Sequence, residues 1–333
     1  MSLDAVRVAN APLSYGAFEM TVGIFPNVPG PDALLDEMAA AGFEGTELGP
    51  PGYLGEGDEL RARLDRHSLA LTGGWCPMHF SEPEHWDVDL AELSRTLDLF
   101  EAAGAHDAHP VFGDEGSDAR RANPGRGKDD PSLSLDAAGW ERFAEGLKRA
   151  ESLVRERGFE PTFHPHTATF VESPAEIDRF LELAEIGLLV DTGHLLVGGS
   201  DPIQALRDWG PRVNYVHIKD VRLDVLHRCV EERAGAVEAW RRGIFCELGT
   251  GDVDLPGFFA ELDRVGYQGW ICVEQDRIPR DDEKLQESAE AQVRNRKWLR
   301  TNVGLLRRDD RAQAGVGALV EARRRRYRGC AES

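Results

Sequence analysis

Apolar positions fall in two rhythms along this chain. Short, dense apolar runs at residues 6–13, 43–48, 69–76, 108–112, 160–163, 187–190, 213–216 and 270–273 read as buried strands. Between them, segments at 31–41, 59–67, 90–103, 140–157, 174–185, 202–209, 255–265 and 283–299 predict helices. Pro31 opens the first of these and Gly42 closes it. Leu90, Leu93, Leu97 and Phe100 mark the apolar face of the third.

Two stretches break the alternation. Residues 113–132 hold Gly, Pro, Asn, Asp and Arg with no apolar run, which predicts a long loop over the fourth strand end. Loops of that length in compact domains often serve as lids or binding loops. Residues 223–250 read as a second irregular insert, after the seventh strand.

Eight strands alternating with eight helices over about 300 residues fit an α/β (β/α)₈ barrel, the TIM barrel. The expected organisation is one barrel domain over residues 1–300 and a helical or disordered C-terminal extension over 301–333. An open doubly wound sheet is the alternative. No Gly-x-Gly-x-x-Gly follows the first strand, which weakens a dinucleotide-binding reading.

A parallel barrel presents its chemistry at the carboxyl ends of its strands. Four polar signatures sit there: His164-Pro165-His166, Asp191-Thr192-Gly193-His194, His217-Ile218-Lys219-Asp220 and Glu274-Gln275-Asp276. Asp191 and Glu274 end apolar runs, where an unpaired carboxylate is costly and needs a cation or several donors. Asp191 is either such a ligand or the cap of the next helix. His164 and His166 share one side of an extended strand, so one can face a metal and the other a substrate. Lys219 and Asp220 are either a rim ion pair, or Lys219 contacts substrate hydroxyls or serves as an acid. Four strand ends offering His, Asp, His and Glu can converge on one divalent metal. Two carboxylates and no thiolate lean towards Mn²⁺ or Mg²⁺, with Co²⁺, Fe²⁺ and Zn²⁺ as further options. In the first half, Glu47 and Trp75 end the second and third strands and are candidates for the barrel mouth, beside Asn10, Tyr15, His79 and His109.

Composition narrows the partners. The formal net charge of −20 makes nucleic acid a poor partner, because phosphate binding needs a basic face. The one basic cluster, Arg323 to Arg326 with Arg328, reads as a solvated or subunit-contacting helix end. No apolar run approaches the roughly 18 residues that span a bilayer, so no membrane association is expected. The five cysteines are scattered and odd in number, and the N-terminus does not resemble a signal peptide, so the expected location is the cytoplasm.

The chain resembles the xylose isomerase-like barrels, a family of sugar isomerases, epimerases and dehydratases, and within it the inosose dehydratase branch. The resemblance spans about residues 5–300. It rests on His164-Pro165-His166-Thr167, Asp191 to Leu195, His217 to Arg222, Leu248 to Asp254 and Gly266 to Trp270 leading to Glu274-Gln275-Asp276. It implies a metal held by His164, Asp191, His217 and Glu274. It also implies that His194 and Lys219 touch substrate. The epimerases usually carry Glu where His164 stands, which favours dehydration.

The resulting expectation is a metal-dependent lyase of carbohydrate metabolism, acting on a polyhydroxylated ketone such as 2-keto-myo-inositol through an enediolate. Glu274, His194, Lys219 and His166 are the candidate acids and bases. His166, His194, Lys219, Arg222, Glu47 and Trp75 are the candidate substrate contacts. The alternatives are a keto-sugar isomerase or epimerase on the same barrel, and a non-catalytic sugar-binding barrel or complex subunit. A homo-oligomer, dimer or tetramer, is expected.

Overall fold

The computed structural model describes residue 3 and residues 5–307. Its strands, in chain order, are β1 (Arg7–Asn10), β2 (Gly45–Glu47), β3 (Ala70–Met78), β4 (His109–Asp114), β5 (Thr162–Phe163), β6 (Gly187–Asp191), β7 (Val213–Ile218), β8 (Asp220–Val221), β9 (Phe245–Cys246) and β10 (Trp270–Val273). β1 to β7 and β10 close into a parallel barrel in chain order, with Arg7 opposite Trp270 at the closing seam. β8 and β9 form a separate antiparallel ribbon.

The dense apolar runs have a simple origin. Side chains alternate between the two faces of a strand. In a barrel both faces are buried, one by the interior and one by the helices. Ala9, Val111, Leu189, Tyr215 and Cys272 fill the interior. Val8, Phe112, Leu188, Val190, Val216 and Ile271 face the helix layer. The same alternation aims the strand ends. Asp191, His217 and Glu274 lie two residues beyond Leu189, Tyr215 and Cys272, so they point inward over the mouth.

The helices are α1 (Pro31–Ala41), α2 (Gly57–His67), α3 (Trp86–Ala103), α4 (Asp118–Arg121), α5 (Ala137–Glu156), α6 (Pro174–Leu183), α7 (Thr192–Gly198), α8 (Pro202–Trp209), α9 (Leu223–Glu231), α10 (Ala236–Arg241), α11 (Leu255–Arg264) and α12 (Leu285–Asn302). α1 starts at its proline and stops at Gly42, whose φ of 95° is open to glycine at little cost. α6 opens with a capping box between Ser173 and Glu176. β1 is shorter than its apolar run, because Pro12 starts a 3₁₀ turn that leaves the barrel.

Both stretches expected to be irregular contain structure. Residues 113–132 hold α4, and Arg120 on it is fully buried between Glu172 and Glu176. Apolar periodicity is blind to a helix anchored by a buried ion pair. Residues 223–250 hold α9, α10 and β9. Val225, Leu226, Cys229 and Ala239 build a small second core beneath them. The barrel therefore carries more helices than the eight expected. Beyond α12 only residues 303–307 are described. The rest of the expected extension, with its Arg-rich cluster, lies outside the described residues.

Candidate active site

The site sits at the carboxyl ends of β5, β6, β7 and β10. A cavity of about 340 Å³ opens above them, and His164, His166, His217, Lys219, Glu274 and Asp276 are part of its lining. Asp191 is fully buried beneath them.

Hydrogen bonds select one atom of each donor residue. His164 Nδ1–H donates to the Pro165 carbonyl at 2.7 Å, which leaves the Nε2 lone pair 3.5 Å from Asp191 Oδ2. Asp191 Oδ1 accepts from the Gly193 and His194 amides at 2.8 and 2.9 Å, capping α7. Its other oxygen, Oδ2, is buried without an aligned hydrogen bond. The two readings of Asp191 are thus both realised, one by each oxygen. His217 Nε2–H donates to Glu47 Oε1 at 2.7 Å. That leaves Nδ1 3.5 Å from Asp191 Oδ2 and 2.9 Å from Glu274 Oε2, again without an aligned hydrogen bond. Ligand atoms of His164, Asp191 and His217 lie within 4.8 Å of one another.

Electrostatics say what this ring of atoms requires. Burial lowers the His217 imidazole pKa, but the Glu274 and Glu47 carboxylates outweigh burial and raise it well above its ordinary value. The site demands positive charge at His217 Nδ1, from a proton or a metal ion. Burial raises the Asp191 carboxyl, yet neighbouring positive charge, Lys219 foremost, holds it well below the usual range. Glu274 is likewise drawn down to about 2 by His217 and Lys219 against the burial that would raise it. Lys219 Nζ lies 3.2 Å from Asp191 Oδ2, 2.8 Å from Glu274 Oε2 and 2.9 Å from Asp276 Oδ1. One ammonium thus faces three carboxylates, with Glu47 a fourth across His217. The donor set fits a divalent metal ion. A second grouping, Glu47, His217, Cys272 and Glu274, fits less well. Glu47 Oε1 is already taken by two donors, and burial pushes the Cys272 thiol well above its ordinary pKa, so it stays protonated.

The His166 and His194 rings lie 3.7 Å apart, tilted by 37°. Burial, together with neighbouring histidines and Lys219, lowers the pKa of both well below the ordinary value, so both rings are neutral. His166 Nδ1–H donates to the Thr167 carbonyl at 2.8 Å, leaving its Nε2 lone pair free. His194 is walled in behind it, bonded to Thr167 Oγ1 at 2.8 Å and Lys219 Nζ at 2.8 Å.

Most predicted residues are brought together: His164, Asp191, His217, Glu274, His166, Lys219, Glu47 and Trp75. The Trp75 ring meets His166 at 5.1 Å and His164 edge-on at 5.9 Å. Gly113 makes that possible, since a Cβ there would fall 1.7 Å from the indole. One expectation is corrected, and two further candidates enter the site through protein partners. Arg222 is exposed and outside the cavity lining, because the β8–β9 ribbon turns the chain away from the mouth right after Lys219. His194 does not line the cavity, and its ring nitrogens are bonded to Thr167 and Lys219. Glu47 reaches the cavity but is engaged by His217 and by the Tyr215 hydroxyl at 2.9 Å. Asp276 was missed as a site residue, although it lies two positions beyond Glu274 on the same side. Tyr215 stood out less, since an inward Tyr two residues before His217 reads as core. Asn10, Tyr15 and His109 are structural: Asn10 bonds Gln292, Tyr15 is buried and His109 stacks on Tyr215. His79 pairs with Asp89.

Comparison with known proteins bears on most of the chain. A 31% identity over 288 residues relates it to the inosose dehydratase of Geobacillus kaustophilus, covering 84% of this chain and 90% of that one. The D-allulose 3-epimerase of Methylomonas sp. superposes with a TM-score of 0.63 at 16% identity, over 90% of this chain and 98% of that one. The IOLI protein, solved with a bound zinc atom, superposes at 0.61 and 14% identity, over 88% and 96%. The family model described as xylose isomerase-like TIM barrel matches residues 35–302. With that match over most of its length, this chain belongs to the xylose isomerase-like TIM barrel family.

Proposed function

We propose that this protein is a metal-dependent dehydratase of a polyhydroxylated cyclic ketone, of the 2-keto-myo-inositol class. The observation that carries the reading is three atoms left over by their residues' own hydrogen bonds, His164 Nε2, Asp191 Oδ2 and His217 Nδ1, with Glu274 Oε2 2.9 Å from the last of them. These would hold a divalent ion, with Mn²⁺ favoured by two carboxylates and two imidazoles. Such an ion, when bound, polarises a ketone oxygen and makes the neighbouring C–H more acidic. The curated relative named inosose dehydratase and the zinc-bound neighbour support this direction.

The chain's own groups divide the proton work. His166 is neutral, faces the cavity and has its Nε2 lone pair free, so it takes the α proton and leaves an enediolate. Lys219 is held protonated: burial lowers its pKa, but Asp191, Asp276 and Glu274 raise it well above the ordinary value. Its ammonium donates to the β-hydroxyl, which departs as water while a C=C bond forms. His194 and Asp276 hold Lys219 Nζ in place. Glu274, ionised down to about pH 2, acts as a ligand rather than the base. His164 at the fifth strand end supplies no second carboxylate for two-sided proton transfer, which weighs against an epimerase. We place the protein in the cytoplasm as a homo-oligomer with a small keto-polyol substrate.

The test is ¹H NMR of 2-keto-myo-inositol in D₂O with Mn²⁺-reconstituted enzyme, the ion being chelated before spectra are taken. Loss of water from the cyclitol, dependent on added metal, is the expected result. An inert cyclitol together with deuterium uptake or a new epimer in a keto-hexose would overturn dehydration in favour of epimerisation.

A further inference from the structure

The cavity has two chemically distinct ends. Its floor is the polar ring of strand ends. Its upper wall is apolar and comes from two places: Leu13, Phe18 and Met20 after β1, and Val237 and Trp240 on α10. Met20 and Val237 are 39% and 41% exposed, and they are two of the five large hydrophobic side chains left exposed among the described residues. A ring bearing hydroxyls on all but its carbonyl carbon finds one donor, the Trp240 indole N–H, and no acceptor oxygen among these five side chains. Hydroxyls desolvated against the rest of such a wall lose water without gaining a partner.

Charge also limits what this end accepts. Apart from histidines, the cavity lining holds two cationic side chains, Lys219 and Arg121. The charge of Lys219 is outweighed by Asp191, Glu274 and Asp276. Arg121 donates to Asp118 Oδ1 at 2.9 Å and to the Glu115 carbonyl at 2.7 Å. Glu115 adds negative charge to the lining, and Glu19 and Asp114 add more when ionised. A phosphate or carboxylate there would meet repulsion, offset only by a half-exposed Arg121 that already pairs with Asp118.

We infer that the shelf of Leu13, Phe18, Met20, Val237 and Trp240 is a subsite for an uncharged apolar substituent, an O-alkyl or O-aryl ether, carried by the keto-polyol whose ring lies on the polar floor. This rests on the function proposed above and makes its substrate class more specific. α10 exists because the chain after β7 folds over a core of its own, so the Val237 and Trp240 side of the shelf is a feature of that insert and not of the barrel strands. A cavity of about 340 Å³ falls within the range of small-molecule sites.

The experiment compares kcat/KM for 2-keto-myo-inositol, its monomethyl and monobenzyl ethers, and its monophosphate, on Mn²⁺-loaded enzyme. The methyl ether should be favoured about fourfold over the parent, since each buried methyl-sized group contributes about that factor. The benzyl ether should exceed the parent by more than about tenfold. The phosphate should be the poorest of the four. Val237→Asp, at an exposed position, and Trp240→Ala should each collapse the benzyl-to-parent ratio towards one. A parent ketone that is turned over as well as its ethers, or a preferred phosphate, overturns the subsite while leaving the dehydratase reading intact. If none of the ketones reacts, the dehydratase reading fails, and calorimetric binding of benzyl-substituted against plain myo-inositol decides the subsite alone. Tighter binding of the benzyl ether, lost in Val237→Asp, supports it, and equal binding overturns it.

Discussion

Glu47 and His217 lie 170 residues apart on strands that are not neighbours in the barrel, yet Glu47 Oε1 accepts the His217 Nε2–H at 2.7 Å. The Tyr215 hydroxyl donates to the same oxygen at 2.9 Å and lies 2.9 Å from Thr72 Oγ1. That chain of contacts sets which nitrogen of His217 faces Asp191 and Glu274. A partner that fixes the tautomer of a ligating histidine usually matters nearly as much as the ligand. Glu47→Ala is therefore expected to weaken metal binding about ten- to a hundredfold. Glu47→Gln, which keeps an acceptor and loses the charge, should fall in between. Chelator-competition titration reads both, and unchanged affinity in Glu47→Ala would remove Glu47 from the site.

Asp191→Asn should abolish stoichiometric metal binding while the barrel stays folded. Asn keeps an oxygen for the Gly193 and His194 amides, so the α7 cap survives. Metal content by elemental analysis, set beside circular dichroism, checks this. A full complement of metal in Asp191→Asn would refute the ligand assignment.

His166→Asn should slow exchange of the α proton with solvent deuterium by about 10²-fold or more, the usual range for a lost general base. Glu274→Gln should lose metal as well as exchange. Exchange that persists in His166→Asn and vanishes in a metal-replete Glu274→Gln would shift the base to Glu274.

Burial pushes the Asp114 carboxyl up to about 7, against hydrogen bonds from the Phe170 and Gly116 amides. A carboxyl raised in the folded state favours the protonated form there. Its contribution to stability is complete below about pH 4, the unfolded value, and is lost as pH rises to 7. Asp114→Asn removes that titration. The variant should match the native protein near pH 4 and exceed it by roughly 2–4 kcal/mol at pH 8. Thermal unfolding at several pH values tests this, and a gap that stays flat with pH would refute the shift.

Arg120 is fully buried, with Nη2 2.9 Å from Glu176 Oε2 and 3.3 Å from Glu172 Oε2. Glu172 also accepts from the Gly125, Gly127 and Ala168 amides, which ties α4 and its loop to the segment after His166. Arg120→Met leaves two buried carboxylates without a counter-charge, and should cost about 3–5 kcal/mol by denaturant unfolding. The triple change Arg120→Met, Glu172→Gln and Glu176→Gln should recover part of that loss. A single variant as stable as the native protein would mean that the cluster is hydrated.

The order of elements and the identity of the inward strand ends were legible in the sequence. A parallel strand buried on both faces is apolar throughout, and a polar residue that ends such a run has nowhere to face except the mouth. His164, Asp191, His217 and Glu274 announced themselves in that way. The folded chain decided everything that depends on a second strand or on the path after a strand. Closure of the barrel, which sets β2 across the interior from β7, turned Glu47 from a rim residue into the partner of His217. The β8–β9 ribbon carried Arg222 out of reach, although it lies three residues beyond Lys219. Local periodicity reports the face a side chain takes, and these outcomes rest on contacts between residues far apart in the chain. The same holds for Arg120, whose buried charge carries no apolar signal and whose two partners lie about fifty residues further along.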